Sequence, residues 1–240
     1  CRIYNNFIRA YVVESFRAKM EVLFLLVFLI IVGLIFAFSS SSFDRGAAGE
    51  HRIYRRLRYF ENEGGGKLLS NIYLPKTTGG TTEIDLLLIH PKGLFVFESK
   101  NYSGWIFGSE DHQNWTQTLP RGRYGDVHKE RFYNPVLQNA SHIRHLMPHI
   151  GKSVPVWSII VFSDECELKD ITIRSKNVCV VQCYHVASTV EQICNETQLD
   201  CLTEADVTDL YNKLLIYTNV SEEEKINHAQ KTFETKQRFQ

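Results

Sequence analysis

The chain has 240 residues, with 27 Lys+Arg against 27 Asp+Glu, so its formal net charge is zero. A balanced total excludes bulk electrostatic attraction as the route to an anionic partner; any such partner must meet a local basic patch. Six cysteines (Cys1, Cys166, Cys179, Cys183, Cys194 and Cys201) form no CxxC pair, so their spacing does not suit a zinc site, and they read as buried thiols of a reducing compartment. Residues 1–21 are a flank whose first 19 residues vanish if translation starts at Met20. Val22 to Phe38 is an uncharged run of 17 residues. It just reaches the length needed to span a hydrocarbon core of roughly 30 Å. It lacks the short core and small-residue cleavage site of a signal peptide, so the sequence predicts an uncleaved single-pass helix over 22–38 in the cell membrane. Residues 39–45 are a serine-rich linker. Arg45, Arg52, Arg55, Arg56 and Arg58 follow the run. With a start at Met20 they place the rest of the chain in the cytoplasm, close to anionic lipid headgroups.

Roughly 190 residues remain, enough for one domain with its own core, assigned to 46–220. Ile53, Leu57 and Phe60 repeat at helical spacing and predict a helix over 46–60, with Glu50 in its first turn. A glycine-rich break at 61–66 follows. Strands are predicted over 68–74, 84–89 and 94–100, with 103–108 continuing the same sheet. Residues 119–133, rich in Gly, Arg and Asp, read as a loop. Asn134-Pro135 opens a helix, with Asn as cap and Pro at the first helical position; Val136, Ala140, Ile143 and Met147 are its expected apolar stripe. Strands follow over 154–162 and 177–183, then an amphipathic helix over 203–217 through Val207, Leu210 and Leu214. Ser221 and Glu224 form a capping box for a polar C-terminal helix over 221–240. This order gives an α/β layered domain with a mixed central sheet flanked by helices.

The chemistry is concentrated in Thr82 to Asn101, TEIDLLLIHPKGLFVFESKN. A two-residue turn at Pro91-Lys92 pairs His90 with Gly93. In that register Asp85 faces Glu98 and Glu83 faces Lys100. Opposed residues share a sheet face, with Cβ atoms about 4.5–5.5 Å apart. Asp85, Glu98 and Lys100 would thus cluster, with Glu83 at the rim. Two ionised carboxylates at that distance need a shared proton or a cation between them. A hard divalent cation accepts such oxygen ligands and can polarise a phosphate, while a lysine nearby holds water or steadies the building charge. An exposed salt-bridge cluster is the plainer use of such residues, but these strands are built for burial, where charges need a partner or a task.

The pattern D…E-x-K resembles the PD-(D/E)xK nuclease superfamily. The wider ordered set is more specific: Gly49-Glu50, Glu83-Ile84-Asp85, Phe95 to Gly104, Gly108, Trp115, Gln117, Asn134-Pro135, Gln138 and His142 resemble the nuclease-related (NERD) domain over about residues 45–165. The resemblance implies a restriction-endonuclease-like core, with Asp85 and Glu98 as ligands of Mg²⁺ (or Mn²⁺), Lys100 as the catalytic lysine and Glu50 as the assisting acid of the first helix. The proline that usually precedes the first acid is replaced by Ile84. DNA is the implied substrate, with Asn101 and Gln117 as substrate-binding positions. A catalytically silent nucleic-acid-binding or scaffold module of the same fold is the competing expectation. Arg121 and Arg123, in a basic loop with His128, Lys129 and Arg131, could track a phosphate backbone. His142, His145 and His149 share a helical face that reads as polar surface rather than a transition-metal site. Trp105 and Trp115 read as packing residues rather than base-stacking ones.

Overall fold

The computed structural model describes Met20 and residues 26–31, 46–76, 79–121, 126–151 and 153–221. The chain divides into two units, residues 1–45 and 46–240. In the first, residues 26–31 are helical and solvent-exposed, Phe28 and Ile30 included. Most of the expected span 22–38 lies outside the described residues, as does the expected C-terminal helix beyond Ser221. Among the described residues, no helix is long and apolar enough to cross a membrane.

The second unit opens with helix α1 over residues 46–62, where Ile53, Leu57 and Phe60 are buried at the expected spacing. It leads into β1 (Lys67–Pro75), β2 (Thr81–His90) and β3 (Gly93–Lys100). These three strands join β7 (Val156–Phe162) and β9 (Val178–Gln182) in a five-stranded mixed sheet of order β1-β2-β3-β7-β9. The β1, β2 and β3 pairs are antiparallel, while β7 and β9 run parallel to β3. Such a parallel step needs a crossover, and α2 (Pro135–Ile150) supplies its helix. Gly93 fixes the corner: its φ is 135°, and a Cβ there would lie 2.5 Å from the Pro155 carbonyl oxygen, the acceptor of the Leu94 amide.

A single central sheet was expected, but the structure has two. Residues 104–109, expected to extend the first sheet, form β4 (Gly104–Ser109) of a separate four-stranded sheet, ordered β6 (Asp126–Tyr133), β5 (Asn114–Arg121), β4 and β8 (Cys166–Thr172). Within the stretch 119–133, expected as loop, residues 119–121 end β5 and residues 126–133 form β6, paired antiparallel, while 122–125 lie outside the described residues. The charges of β6 are compatible with strand because it is an edge: Val127, His128, Lys129, Glu130 and Arg131 are all exposed, and charged edges resist further pairing. Two elements escaped the sequence reading, β8 (Cys166–Thr172) and α3 (Val186–Glu196). The last helix, α4 (Glu204–Leu215), matches expectation and buries Val207, Leu210 and Leu214 behind a Thr203–Asp206 capping box.

Three cores follow from this layering. Helices α1 and α3 cover one face of the five-stranded sheet, with Leu86, Leu88, Phe95 and Phe97 beneath them. On the other face lie α2 and α4, over Leu87, Ile89, Leu94 and Val96. The second sheet packs on Val136, Ile160 and Phe162. Trp115 is 1% exposed and stacks on Phe162 with ring centroids 6.1 Å apart. It fills the space over Gly108, where a Cβ would stand 2.1 Å from the indole. Trp105 departs from expectation: it is 43% exposed, with the Lys169 ammonium 5.4 Å from its ring centroid. Burial lifts the Cys166 and Cys194 thiols to about 11, which leaves them protonated and unreactive.

Candidate active site

The β2–β3 hairpin has the expected register. His90 pairs with Gly93, and the recorded pairs run through Ile89–Leu94, Leu88–Phe95 and Leu87–Val96 to Leu86–Phe97. Pairing stops there, one residue short of Asp85 and Glu98. Instead of another rung, the Ser99 amide donates to Asp85 Oδ2 at 2.7 Å. The alternation of faces also breaks at Asp85. Leu87 and Ile89 pack on the α2 side and Leu86 and Leu88 on the α1 side, yet Ile84 joins the α2 side. The neighbouring strand shows the same shift around Asn71, whose φ is 54°. Glu83 therefore does not face Lys100 as expected; the Tyr73 hydroxyl donates to its Oε1 at 2.6 Å.

Glu98 lies on the α2 face and is 2% exposed. The Lys100 ammonium donates to its Oε1, and His142 Nε2 lies 3.1 Å from its Oε2. On the far side of the imidazole, Nδ1 is 2.6 Å from Thr82 Oγ1. With Glu98 ionised, Nε2–H donates to the carboxylate, and Nδ1 and the Thr82 hydroxyl share the hydrogen bond on the other side of the ring. Helix α2 holds the lysine as well, since Lys100 Nζ donates to Gln138 Oε1 at 3.1 Å. Asn139, fully buried, donates to the Val96 carbonyl and to Ser158 Oγ, at 2.9 Å each, and so pins α2 to the strand that carries Glu98.

These contacts correct the reading of α2. Its buried face is Val136, Asn139, His142, Leu146 and Ile150; of the expected stripe Val136 is buried and Ile143 packs at the core's edge, while Ala140 and Met147 are exposed. Two polar residues on the inward face had passed for a solvent face. His142 is thus turned into the sheet, while His145 bonds to the Ser141 carbonyl and His149 packs on the Tyr217 ring. Among the described residues no three His, Cys, Asp or Glu side chains form a ready-made metal cage.

Electrostatics sets the acids apart. Burial raises the Glu50 carboxyl, and Glu83 and Glu98 push it further, to about 7. Burial also raises Asp85 well above the ordinary carboxylate range, again reinforced by Glu98 and Glu50. Glu98 goes the other way: burial opposes its ionisation, but Lys100 and then His142 outweigh that and hold it at about 2. For Lys100, burial disfavours the ammonium, and Glu98, Tyr102 and Asp85 more than restore it. One anion is thus fixed beside a cation, while two further acids nearby lack a full counter-charge. This asymmetry marks functional carboxylate groups more often than structural ones. An all-oxygen donor set with unmet negative charge suits a hard divalent cation held by two carboxylates, with water and phosphate completing its shell. Asp85 and Glu98 are the residues that would hold it.

The structure brings Glu50, Asp85, Glu98 and Lys100 within electrostatic reach of one another, from α1, β2 and β3. Asn101 follows this cluster and borders a cleft beside Gly49, where a Cβ would meet the Asn101 Cβ at 3.4 Å. Gln117 lies apart, buried in β5, with its amide donating to the Ser103 carbonyl at 2.8 Å. It secures the turn after Lys100. The backbone of Arg121 pairs with Asp126, and Arg123 lies outside the described residues. Thr82 and Asn139 had no assigned role from sequence; Gln138 figured only in the family resemblance, and His142 there and as polar helix surface. The usable signal was the helical spacing of Gln138 and His142, four residues apart, directly after the Asn134-Pro135 start.

The model of a family described as "Nuclease-related domain" matches residues 45–163. An uncharacterised protein of Bacillus anthracis is 34% identical over 172 residues, which cover 71% of this chain and 76% of that protein.

Proposed function

The chain belongs to the nuclease-related domain family, and from that membership we propose that it is a membrane-anchored, Mg²⁺-dependent (or Mn²⁺-dependent) nuclease of restriction-endonuclease-like fold that hydrolyses phosphodiester bonds in DNA. The observation that carries the reading is the meeting of Glu50, Asp85, Glu98 and Lys100, with Glu50 raised to about 7 and Asp85 raised beside it. A cation held by Asp85 and Glu98 would supply Lewis-acid polarisation of a phosphoryl oxygen and acidify water. The chain's own residues do the rest. Lys100, steadied by Gln138, presents its ammonium to the attacking water or to the charge growing on phosphorus. Glu50, with a carboxyl that titrates near neutrality, accepts or returns a proton. Thr82 and His142 hold Glu98 in one orientation. Asn101, Arg121 and Arg123 remain the proposed substrate contacts, and Gln117, buried against the Ser103 carbonyl, supports the turn after Lys100.

The apolar run 22–38, with residues 26–31 helical and exposed, supports a single-pass anchor, and the arginines after it support a cytoplasmic domain. One observation favours a second reading, a silent nucleic-acid-binding module: both oxygens of Glu98 are already engaged, by Lys100 and His142. The test is cleavage of plasmid and linear DNA by the full chain, with Mg²⁺ or Mn²⁺ against EDTA. Cleavage should require the cation and fall at least 10²-fold in Asp85→Ala and Lys100→Ala. Cleavage that survives both substitutions removes this site from the reaction. DNA binding with no cation-dependent cleavage selects the silent module.

A further inference from the structure

The charges of α1 are sorted by its core stripe. Ile53, Leu57 and Phe60 are buried. At about 100° per residue, Glu50 and Glu61 fall on one side of that stripe and Arg52 and Arg56 on the other. The acidic side delivers Glu50 to the site. The basic side borders a cleft whose walls include Gly49, Arg52, Ser99, Lys100, Asn101 and Ser163. Arg52 is exposed, and among the described residues no carboxylate pairs with it. One turn further, Arg56 forms an ion pair with Asp164 at 3.8 Å, and its guanidinium lies 5.3 Å from the Tyr184 ring centroid. Asp164 also accepts the Tyr184 amide at 2.7 Å, which fixes the short turn that carries the tyrosine. The Tyr184 residue is 67% exposed.

We infer that this flank is the docking track of a nucleic-acid strand: Arg52 holds a phosphate next to the one that is cleaved, and Tyr184, backed by Arg56, stacks an unpaired base. The inference rests on the nuclease reading and names the substrate's path through that site. Charge complementarity supports it. Lys100 is already paired with Glu98 and held by Gln138, so a neighbouring phosphate needs a further cation at the cleft's edge, and Arg52 is that cation. A guanidinium on one face of an exposed ring strengthens stacking on the other. A lipid headgroup would use the arginines but offers no planar partner for Tyr184, so a strand with unpaired bases fits the flank better.

The test is fluorescence anisotropy of the full chain in EDTA, with a labelled single-stranded oligonucleotide and a duplex of the same sequence. Arg52→Gln should weaken both about tenfold and lower the single-strand salt slope by about 0.7, the signature of one lost phosphate contact. Arg52→Lys should restore most of the affinity. Tyr184→Ala should weaken the single strand about tenfold and the duplex little. Arg58→Gln, exposed and about 120° round the helix from Arg52, should match the unmodified chain. If Arg52→Gln and Tyr184→Ala bind like a parent chain that cleaves DNA, the track is wrong and the nuclease reading stands. If the parent binds no DNA, both fall. If Arg52→Gln keeps its DNA affinity but loses phosphatidylglycerol vesicles, the arginines serve lipid and the inference is overturned.

Discussion

Replacing Glu50 with glutamine would reveal whether the acids of the site are held together against their own repulsion. Burial, then Glu83 and Glu98, move this carboxyl from 4.5 to about 7. An acid whose folded value is raised binds its proton more tightly in the native chain. Its stabilisation is present in full below the unfolded value near 4.5 and is lost as pH rises through about 7. Converted at 1.36 kcal/mol per tenfold, that loss amounts to about 3 kcal/mol at pH 8. Glutamine keeps the shape and has no charge to bury. Relative to the parent, Glu50→Gln should therefore gain about 2–3 kcal/mol more stability at pH 8 than at pH 5. For a body of this size that is about 5–10 °C in Tm. Urea unfolding of both chains at the two pH values, followed by the fluorescence of buried Trp115, measures the difference. Mg²⁺ should recover part of the same gap in the parent at pH 8, because it neutralises the carboxylates without mutation. Equal midpoints at pH 8, or an equal gain at pH 5, would show that Glu50 carries no such charge burden.

Two further outcomes follow from the contacts of α2. Thr82→Val removes the hydroxyl that orders His142, and His142→Ala removes the imidazole itself; both should raise the Kd for Mn²⁺, read by electron paramagnetic resonance, about tenfold, with cleavage falling in parallel. Unchanged metal affinity in both variants would refute the positioning role. Asn134 donates to the carbonyls of Ser109, Glu110 and His112 and accepts the Val136 amide, all while fully buried. Asn134→Ala loses a helix cap and strands buried acceptors, so urea denaturation should show a destabilisation of about 3 kcal/mol; a change below about 1 kcal/mol would contradict that.

The hairpin that carries the site was legible because its determinants are local. A two-residue turn and a following glycine between two continuous apolar runs set the register from His90 to Leu86. What lay beyond Leu86 was not legible. The break at Asp85 depends on a matching irregularity around Asn71, in a strand whose partner is set by the whole sheet. The face of α2 was misread for a related reason. Asn139 and His142 are polar, and only their acceptors on β3, β7 and Glu98, distant in sequence, make them inward residues. The second sheet hid behind composition, since an edge strand exposed on both faces has the residue content of a loop. Helix α3 was passed over because its apolar residues are few, Val186, Val190 and Ile193, in an otherwise polar stretch.

The change of face at Asp85 also determines which parts of the molecule can reach the reacting centre. A regular strand would present its acids to one layer only. Here a helix from each side of the sheet contributes, Glu50 from above and His142 from below, so neither hydrophobic layer can shift without disturbing the carboxylates between them. Substitutions deep in either layer, at Leu57 or at Leu146, should therefore register in catalysis before they register in folding, much as a vice loses its grip when either jaw works loose.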